Sequence, residues 1–62
     1  MKIEELRLTP RSYNALKRSG FETVEQVLEL TPHQLSLFRS IGDKAIEEIY
    51  GKIHDAGYAL PY

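Results

Sequence analysis

The sequence predicts a small all-α domain, a bundle of four short helices preceded by an N-terminal turn, and three observations support this prediction. The chain has 62 residues, a length suited to one domain, which we expect to span residues 1–62. No segment alternates apolar and polar side chains as a half-buried β-strand would. Helix-start signals and glycine turns recur along the sequence, each where a helix would begin or end.

The helix signals recur because the sequence contains an internal repeat. The segment LTPRSYNALKRSGFETVEQV, residues 8–27, matches LTPHQLSLFRSIGDKAIEEI, residues 30–49, without a gap. Each copy has the pattern of a helix, a tight turn and a second helix. The repeat therefore predicts two tandem units of the helix-turn-helix or helix-hairpin-helix kind.

Threonine residues are the predicted helix N-caps. Thr9 and Thr31 each precede a proline, which is favoured at the first helical position because the N–H that it lacks has no partner there. The spacing T-x-x-Q predicts capping boxes that join Thr31 to Gln34 and Thr23 to Gln26.

Glycine residues are the predicted helix ends. Gly20 and Gly42 are expected to stop the first helix of each unit in the left-handed conformation that glycine adopts without strain, and Gly57 is expected to close the last helix. The predicted helices span residues 10–19, 24–30, 32–39 and 43–56. The segment MKIEEL is a short lead-in to the first of them.

The last helix has the clearest apolar periodicity and is predicted to make the largest contribution to the core. Its apolar stripe consists of Ala45, Ile46, Ile49, Tyr50, Ile53 and Ala56. The residues expected to cover that stripe are Leu16, Val24, Val27, Leu28, Leu35, Phe38 and Leu60. Ile41 is predicted to plug the core where the backbone turns.

The composition argues against several functional classes. The sequence has no cysteine, and His33 and His54 lie in different predicted helices, so we expect no disulfide, no metal site and no cofactor. No nucleophile motif and no phosphate-binding GK[ST] loop is present, which predicts a domain without catalytic activity. No apolar segment approaches the roughly 20 residues of a membrane span. We therefore expect a cytoplasmic domain that is monomeric in isolation and has no membrane partner.

The charges are segregated although the net charge is only −1. Residues 7–20 contain bases and no acid, whereas residues 21–30 contain acids and no base, which predicts a basic face beside an acidic one. In the hairpin SIGDKA, Gly42 would leave the N–H groups at the start of the last helix open to an anion such as a DNA phosphate. A plain helix stop explains the same glycine, and Asp43 would compete with a phosphate. The local pattern leaves both interpretations open.

The segments IEELRLTPRSYNALKRSGFETVEQVLELT, LFRSIGDKAIEEIYGKI and GYAL together resemble the C-terminal domain of the bacterial RNA polymerase alpha subunit, along about residues 3–60. The resemblance implies an all-α domain that binds the DNA minor groove upstream of promoters, chiefly in A-tract-rich elements. It also implies contacts with RNA polymerase, the sigma factor and transcription regulators. By the same resemblance, Arg11 enters the minor groove beside Asn14, while Gly42 and Lys44 contact the DNA backbone.

The resemblance also implies candidate partner contacts. Tyr13, Ala15 and Lys17 lie on the helix that some regulators of this family grip, although Tyr13 is equally consistent with a core position. Leu37 stands where the family usually has a polar residue, which makes it a candidate exposed apolar anchor.

Three departures from the family pattern argue for weak DNA binding, and a fourth, at Arg7, argues against the usual contact with the sigma factor. Ser40 replaces a usual asparagine, Asp43 a usual base and Ala45 a usual serine, and Arg7 stands where an acidic residue usually faces the sigma factor. One alternative is therefore a drifted protein-interaction module with little DNA affinity. Another is an isolated helix-hairpin-helix module from a repair enzyme.

Individual residues also have simpler explanations. An ion pair between Asp43 and Lys44 is about as consistent with the sequence as a phosphate contact by Lys44. Asn14 is equally consistent with an ordinary surface position. Glu47 and Glu48 are expected on the solvated face of the last helix.

Overall fold

The structure, a computed structural model, describes residues 1–60. These residues form four α-helices and one 3-10 turn, joined by loops. The predicted domain extends two residues beyond them. The turn spans Ile3–Leu6, and the helices are α1 (Pro10–Arg18), α2 (Val24–Leu28), α3 (Pro32–Ser36) and α4 (Asp43–Asp55). Residues 1–60 contain no strand, only an isolated bridge between Lys2 and Thr23, and the all-α class is confirmed. None of the helices that these residues form is both long enough and apolar enough to span a lipid bilayer.

Every helix ends before its predicted last residue, and α3 differs most. The Ser36 hydroxyl donates to the carbonyl of His33 at 2.6 Å, a local bond of the kind that competes with helix continuation. The next N–H groups, those of Leu37 and Phe38, bond three residues back at 3.2 Å each, as in a tighter turn. The segment from Leu37 to Ile41 is therefore a turn rather than the end of a helix.

Two of the three predicted threonine caps are confirmed. The Thr23 and Thr31 side chains accept from the N–H groups of Gln26 and Gln34, and each glutamine side chain accepts in return from the threonine N–H. The predicted cap at Thr9 is wrong in its chemistry. Thr9 occupies the N-cap position of α1, but its side chain accepts no hydrogen bond from the helix.

The predicted left-handed conformation is present at Gly20, where φ is 92°, but not at Gly42. Gly57, with φ of 97°, follows the end of the last helix as predicted. Gly42 has φ of −89° and ψ of 175°, an extended conformation open to any residue, and it is the N-cap of α4 rather than the stop of α3. The reason is that the turn after α3 is made upstream, where the Ile41 N–H donates to the Phe38 carbonyl at 3.1 Å. Gly42 therefore only has to lead the backbone into the next helix.

The core is built around α4, as its apolar stripe predicts. Buried positions in α4 are Ala45, Ile49, Tyr50 and Ile53, whereas Ile46 is partly buried and Ala56, just past the end of the helix, is exposed. Ile41 is buried, as predicted. The 3-10 turn contributes more than a lead-in would, because Ile3 and Leu6 lie in the same core cluster. The rings of Phe21 and Phe38 pack edge to face with their centroids 5.3 Å apart, and this contact joins the turn after α1 to the turn after α3.

The two repeated glycines give a first testable prediction. Gly20→Ser should lower the free energy of unfolding by about 1 kcal/mol, because a Cβ is strained at positive φ. Gly42→Ser should raise it by roughly a few tenths of a kcal/mol, because a serine hydroxyl can cap α4. A Cβ at Gly42 meets no atom within 4 Å. Urea unfolding followed by circular dichroism measures both, and a destabilised Gly42→Ser protein would contradict the N-cap assignment.

Candidate nucleic-acid interface

Two of the four residues predicted to bind DNA, Arg11 and Lys44, line one surface depression of about 370 Å³. Its walls are residues 9–12 at the start of α1 and residues 44, 45 and 48 on α4. Gly42 is exposed at the N-cap of α4, two residues before Lys44. Asn14 is exposed on α1, three residues after Arg11 and so on the same helix face. The starts of α1 and α4 thus bring the predicted DNA-binding residues to one side of the molecule.

The two basic side chains of the depression remain available for an external anion. Within residues 1–60, neither the Arg11 guanidinium nor the Lys44 ammonium lies within 4 Å of a carboxylate. The alternative in which Lys44 forms a local ion pair with Asp43 is therefore not what the structure contains.

Glu48 is not the solvated residue that the sequence suggested. Its carboxylate accepts from the backbone N–H and the hydroxyl of Thr9, at 2.7 Å in both cases, and from the hydroxyl of Ser12. These donors belong to the first residues of α1, whose free N–H end favours a negative charge. Glu48 therefore caps α1 from α4 and fixes the two helices against each other.

The same contacts hold the pKa of Glu48 below its ordinary value of 4.5. The Ser12 hydroxyl has the largest effect on this pKa, followed among the lowering contacts by the N–H and hydroxyl of Thr9, with a further contribution from the charge of Lys52. Ser12 is only 1% exposed, so its hydroxyl depends on the Glu48 carboxylate for a partner. The bonds that join α1 to α4 therefore depend on a charged group.

Sequence reasoning missed Glu48 and Ser12, although one signal was available. The second unit has Gln34 three residues after its threonine and caps itself, whereas the first unit has Ser12 at the matching position. A serine there cannot return the capping bond to Thr9 as a glutamine does. An acceptor from elsewhere in the protein was needed, and α4 provides it.

Two of the candidate partner residues belong to an internal polar cluster. The Tyr13 hydroxyl donates to Glu4 at 3.0 Å, and the Lys17 ammonium lies 2.9 Å from Glu22 and 3.5 Å from Glu4. The Lys17 ammonium also lies 5.9 Å from the centre of the Tyr13 ring. The hydrogen bond to Glu22 raises the pKa of Lys17. The charged Lys17 ammonium is therefore paired with two carboxylates of the protein itself, and the Tyr13 side chain is half-buried beside it.

The other two partner candidates lie in opposite environments. Ala15 is 5% exposed and belongs to the core, so the structure does not offer its side chain to a partner. Leu37 is 72% exposed. The Ser40 hydroxyl forms its hydrogen bonds within the protein, because it lies 3.1 Å from the Ser19 hydroxyl and 3.4 Å from the Ala15 carbonyl. Of the two remaining partner candidates, Ala15 and Leu37, it is therefore Leu37 that offers its side chain to solvent.

No group of three or more His, Cys, Asp and Glu side chains suited to a metal ion is present within residues 1–60.

Comparison with known proteins identifies what this arrangement is similar to. The family model described as the C-terminal domain of the bacterial RNA polymerase alpha chain matches residues 1–55. Similar curated proteins are the DNA-directed RNA polymerase subunits alpha of Fusobacterium nucleatum and Desulforamulus reducens, 47% and 42% identical over 60 residues. That of Rubrobacter xylanophilus is 45% identical over 58 residues. The matches cover 97%, 97% and 94% of this protein but only 18%, 19% and 18% of those relatives.

The Glu48 cap gives a second prediction. Glu48→Gln should lower the free energy of unfolding by about 1 kcal/mol at neutral pH, because hydrogen bonds to a charged acceptor are the stronger ones. A carboxyl whose pKa is depressed on folding stabilises the fold above its unfolded-state pKa and loses that contribution as pH falls through its folded-state value. The difference between wild type and Glu48→Gln should therefore be full at neutral pH and shrink below about pH 4.5.

Glu47→Gln is the matched control for this measurement. Glu47 is the preceding residue on α4 and is exposed, so its change should stay within about 0.5 kcal/mol at every pH. Chemical denaturation across the pH series measures both variants. A Glu48→Gln effect that did not vary with pH would contradict the charged cap.

Proposed function

The protein belongs to the family formed by the C-terminal domains of bacterial RNA polymerase alpha subunits, and from this premise we propose that it is a non-catalytic domain that binds upstream promoter DNA through the minor groove. The observation that carries the proposal is the shared depression, which Arg11 and Lys44 both line at the starts of α1 and α4. Two bases at adjacent helix starts, neither of them within 4 Å of a carboxylate of residues 1–60, suit a ligand with regularly spaced negative charges.

Arg11 is the proposed minor-groove residue. A narrow A-tract groove has an enhanced negative potential that attracts an inserted guanidinium. The Arg11 side chain is exposed and has a charge that no carboxylate of residues 1–60 neutralises within 4 Å. The minor groove presents acceptors at A·T pairs, and the amide of Asn14 adds a donor on the same helix face. Together these two side chains favour A·T-rich sequence without a base-by-base code.

The start of α4 is the proposed phosphate contact. Its N-cap, Gly42, has no side chain with which to cap the first N–H groups, and α4 has 13 residues whose dipoles add at that end. Lys44 places an ammonium group beside these N–H groups. Such contacts fix the position of a protein on the duplex and are independent of sequence. Asp43 opposes them because its carboxylate lies at the same helix start.

Polymerase and regulator contacts are the second part of the proposed function. The protein spans less than a fifth of the alpha subunits that it matches. A domain joined to such a subunit would act beside the polymerase, with the exposed Leu37 side chain available to the sigma factor or regulators. Tyr13 and Lys17 would take part only by exchanging their contacts with Glu4 and Glu22 for contacts with a partner. The exposure of Leu37 also favours a second candidate, a protein-interaction module with little DNA affinity.

Arg11→Gln gives the third prediction. The variant should bind a short A-tract duplex about tenfold more weakly at low salt, because it loses the guanidinium that the groove attracts. Lys2→Gln, the same change of charge beside Thr23 in the acidic stretch of residues 21–30, should bind as wild type does. Fluorescence anisotropy gives the affinities, and chemical-shift mapping should place the changes at Arg11, Asn14, Gly42 and Lys44. If wild type shows no duplex binding, the protein-interaction candidate replaces this proposal.

Asp43→Lys gives the fourth prediction. The variant should bind the duplex more tightly and with a steeper dependence on salt, because a repulsive charge becomes an additional phosphate contact. Glu29→Lys, which reverses the same charge at the end of α2, is the matched control and should have a smaller effect. Equal effects in the two variants would show that the start of α4 does not approach the DNA.

A further inference from the structure

Two more bases, Arg7 and Lys52, are held beside the Thr9–Glu48 contact but lie outside the depression that Arg11 and Lys44 line. Arg7 is two residues before Thr9 in the sequence. Lys52 is one helical turn after Glu48. The Thr9–Glu48 bond at 2.7 Å brings the segment that contains Arg7 against the face of α4 that contains Lys52.

Lys52 continues the line of charges that Lys44 begins. Residues 44, 48 and 52 are spaced by four along α4 and share one face of the helix. The rise of an α-helix puts Lys44 and Lys52 about 12 Å apart along the axis. Lys52 is exposed, and its charge contributes to the lowered pKa of Glu48, which agrees with a position next to that carboxylate.

Arg7 has the one left-handed backbone among the non-glycine residues that the structure describes, with φ of 56° and ψ of 48°. Its N–H closes the 3-10 turn on the Glu4 carbonyl at 3.4 Å. Glycine or asparagine adopts this conformation at lower cost, so an arginine here goes against local preference. A residue kept against local preference raises a hypothesis of function. The Arg7 side chain is exposed, and no carboxylate of residues 1–60 lies within 4 Å of its guanidinium.

We propose that Arg7 and Lys52 form a second phosphate-contacting pair, which extends the DNA-binding surface past the depression along α4. The occupant is the backbone of the same duplex, at phosphates beyond those that Gly42 and Lys44 contact. This inference rests on the proposed DNA binding.

The nearby acids leave room for this contact. The Glu48 carboxylate is taken up by Thr9 and Ser12, and Asp55 lies 3.9 Å from the Nδ1 atom of His54. The positive charge of Arg7 also offsets the negative charge of Asp43 in the total charge of this surface. The positive charge of the surface is thereby moved from the hairpin toward the start of α1.

The salt dependence of binding tests the proposal. Each phosphate contact contributes about 0.9 to the slope of log affinity against log salt, so Arg7→Gln and Lys52→Gln should each reduce that slope by about 0.9 and the double variant by about 1.8. Lys2→Gln removes the same charge beside the acidic stretch of residues 21–30 and should leave the slope unchanged. The 62-residue protein and an A-tract duplex are used throughout, and anisotropy titrations over a series of salt concentrations give the slopes.

Arg7→Asn separates binding from folding. Asparagine tolerates the left-handed backbone, so the melting temperature of this variant should equal or exceed that of wild type while its salt slope falls as in Arg7→Gln. A slope unchanged in the Arg7 and Lys52 variants, with binding still weakened by Arg11→Gln, would overturn this inference and leave the proposed function standing. If wild type and Arg11→Gln bind equally weakly, both the inference and the proposed function are overturned.

Discussion

The contact of the Glu48 carboxylate with Thr9 and Ser12 is the constraint on which the arrangement of the surface depends. The helices α2 and α3 have five residues each, too few for a helix that is stable alone, so α1 and α4 have to support the structure. Apolar packing between α1 and α4 would allow several registers. A charged acceptor bound to the buried Ser12 hydroxyl and to the N–H group of Thr9, the N-cap of α1, favours one of them. That register places Arg11 beside Lys44.

The internal repeat is broken at the same place, and the break makes the two units functionally different. In the second unit, Gln34 returns the bond of Thr31 and the start of α3 is satisfied locally. In the first unit, the N-cap residue Thr9 and the Ser12 hydroxyl donate to the Glu48 carboxylate of α4. The start of α4 has a glycine at its N-cap and no side-chain cap. The start of α1 is thus used to hold α4 in place, whereas the start of α4 has no side-chain cap.

Local sequence signals predict the fold, and long-range contacts decide what those signals cannot reach. The apolar stripe of α4 and the T-x-x-Q boxes act within a few residues, so the spacing of those residues predicts them. The role of Glu48 depends on Thr9, which is 39 residues away in the sequence. The repeat predicts a left-handed Gly42 to match Gly20, but the turn before Gly42 is completed upstream at Phe38. The burial of Ala15 is a further long-range effect, because only the packing of α1 on α4 decides that its side chain faces the core.

The distribution of paired and unpaired bases fixes the kind of DNA binding that the domain can have. The basic stretch of residues 7–20 is not uniformly available, because Lys17 is bound by Glu4 and Glu22. With a net charge of −1, attraction from a distance is weak, so the proposed DNA binding would have to come from a few contacts and from the shape of the groove. A few phosphate contacts give modest affinity. Attachment to a larger assembly compensates for modest affinity, because a tethered domain meets nearby DNA at a high effective concentration. Weak intrinsic binding would then be useful, since it leaves the choice of promoter to sequence-dependent groove shape and to the proteins bound alongside.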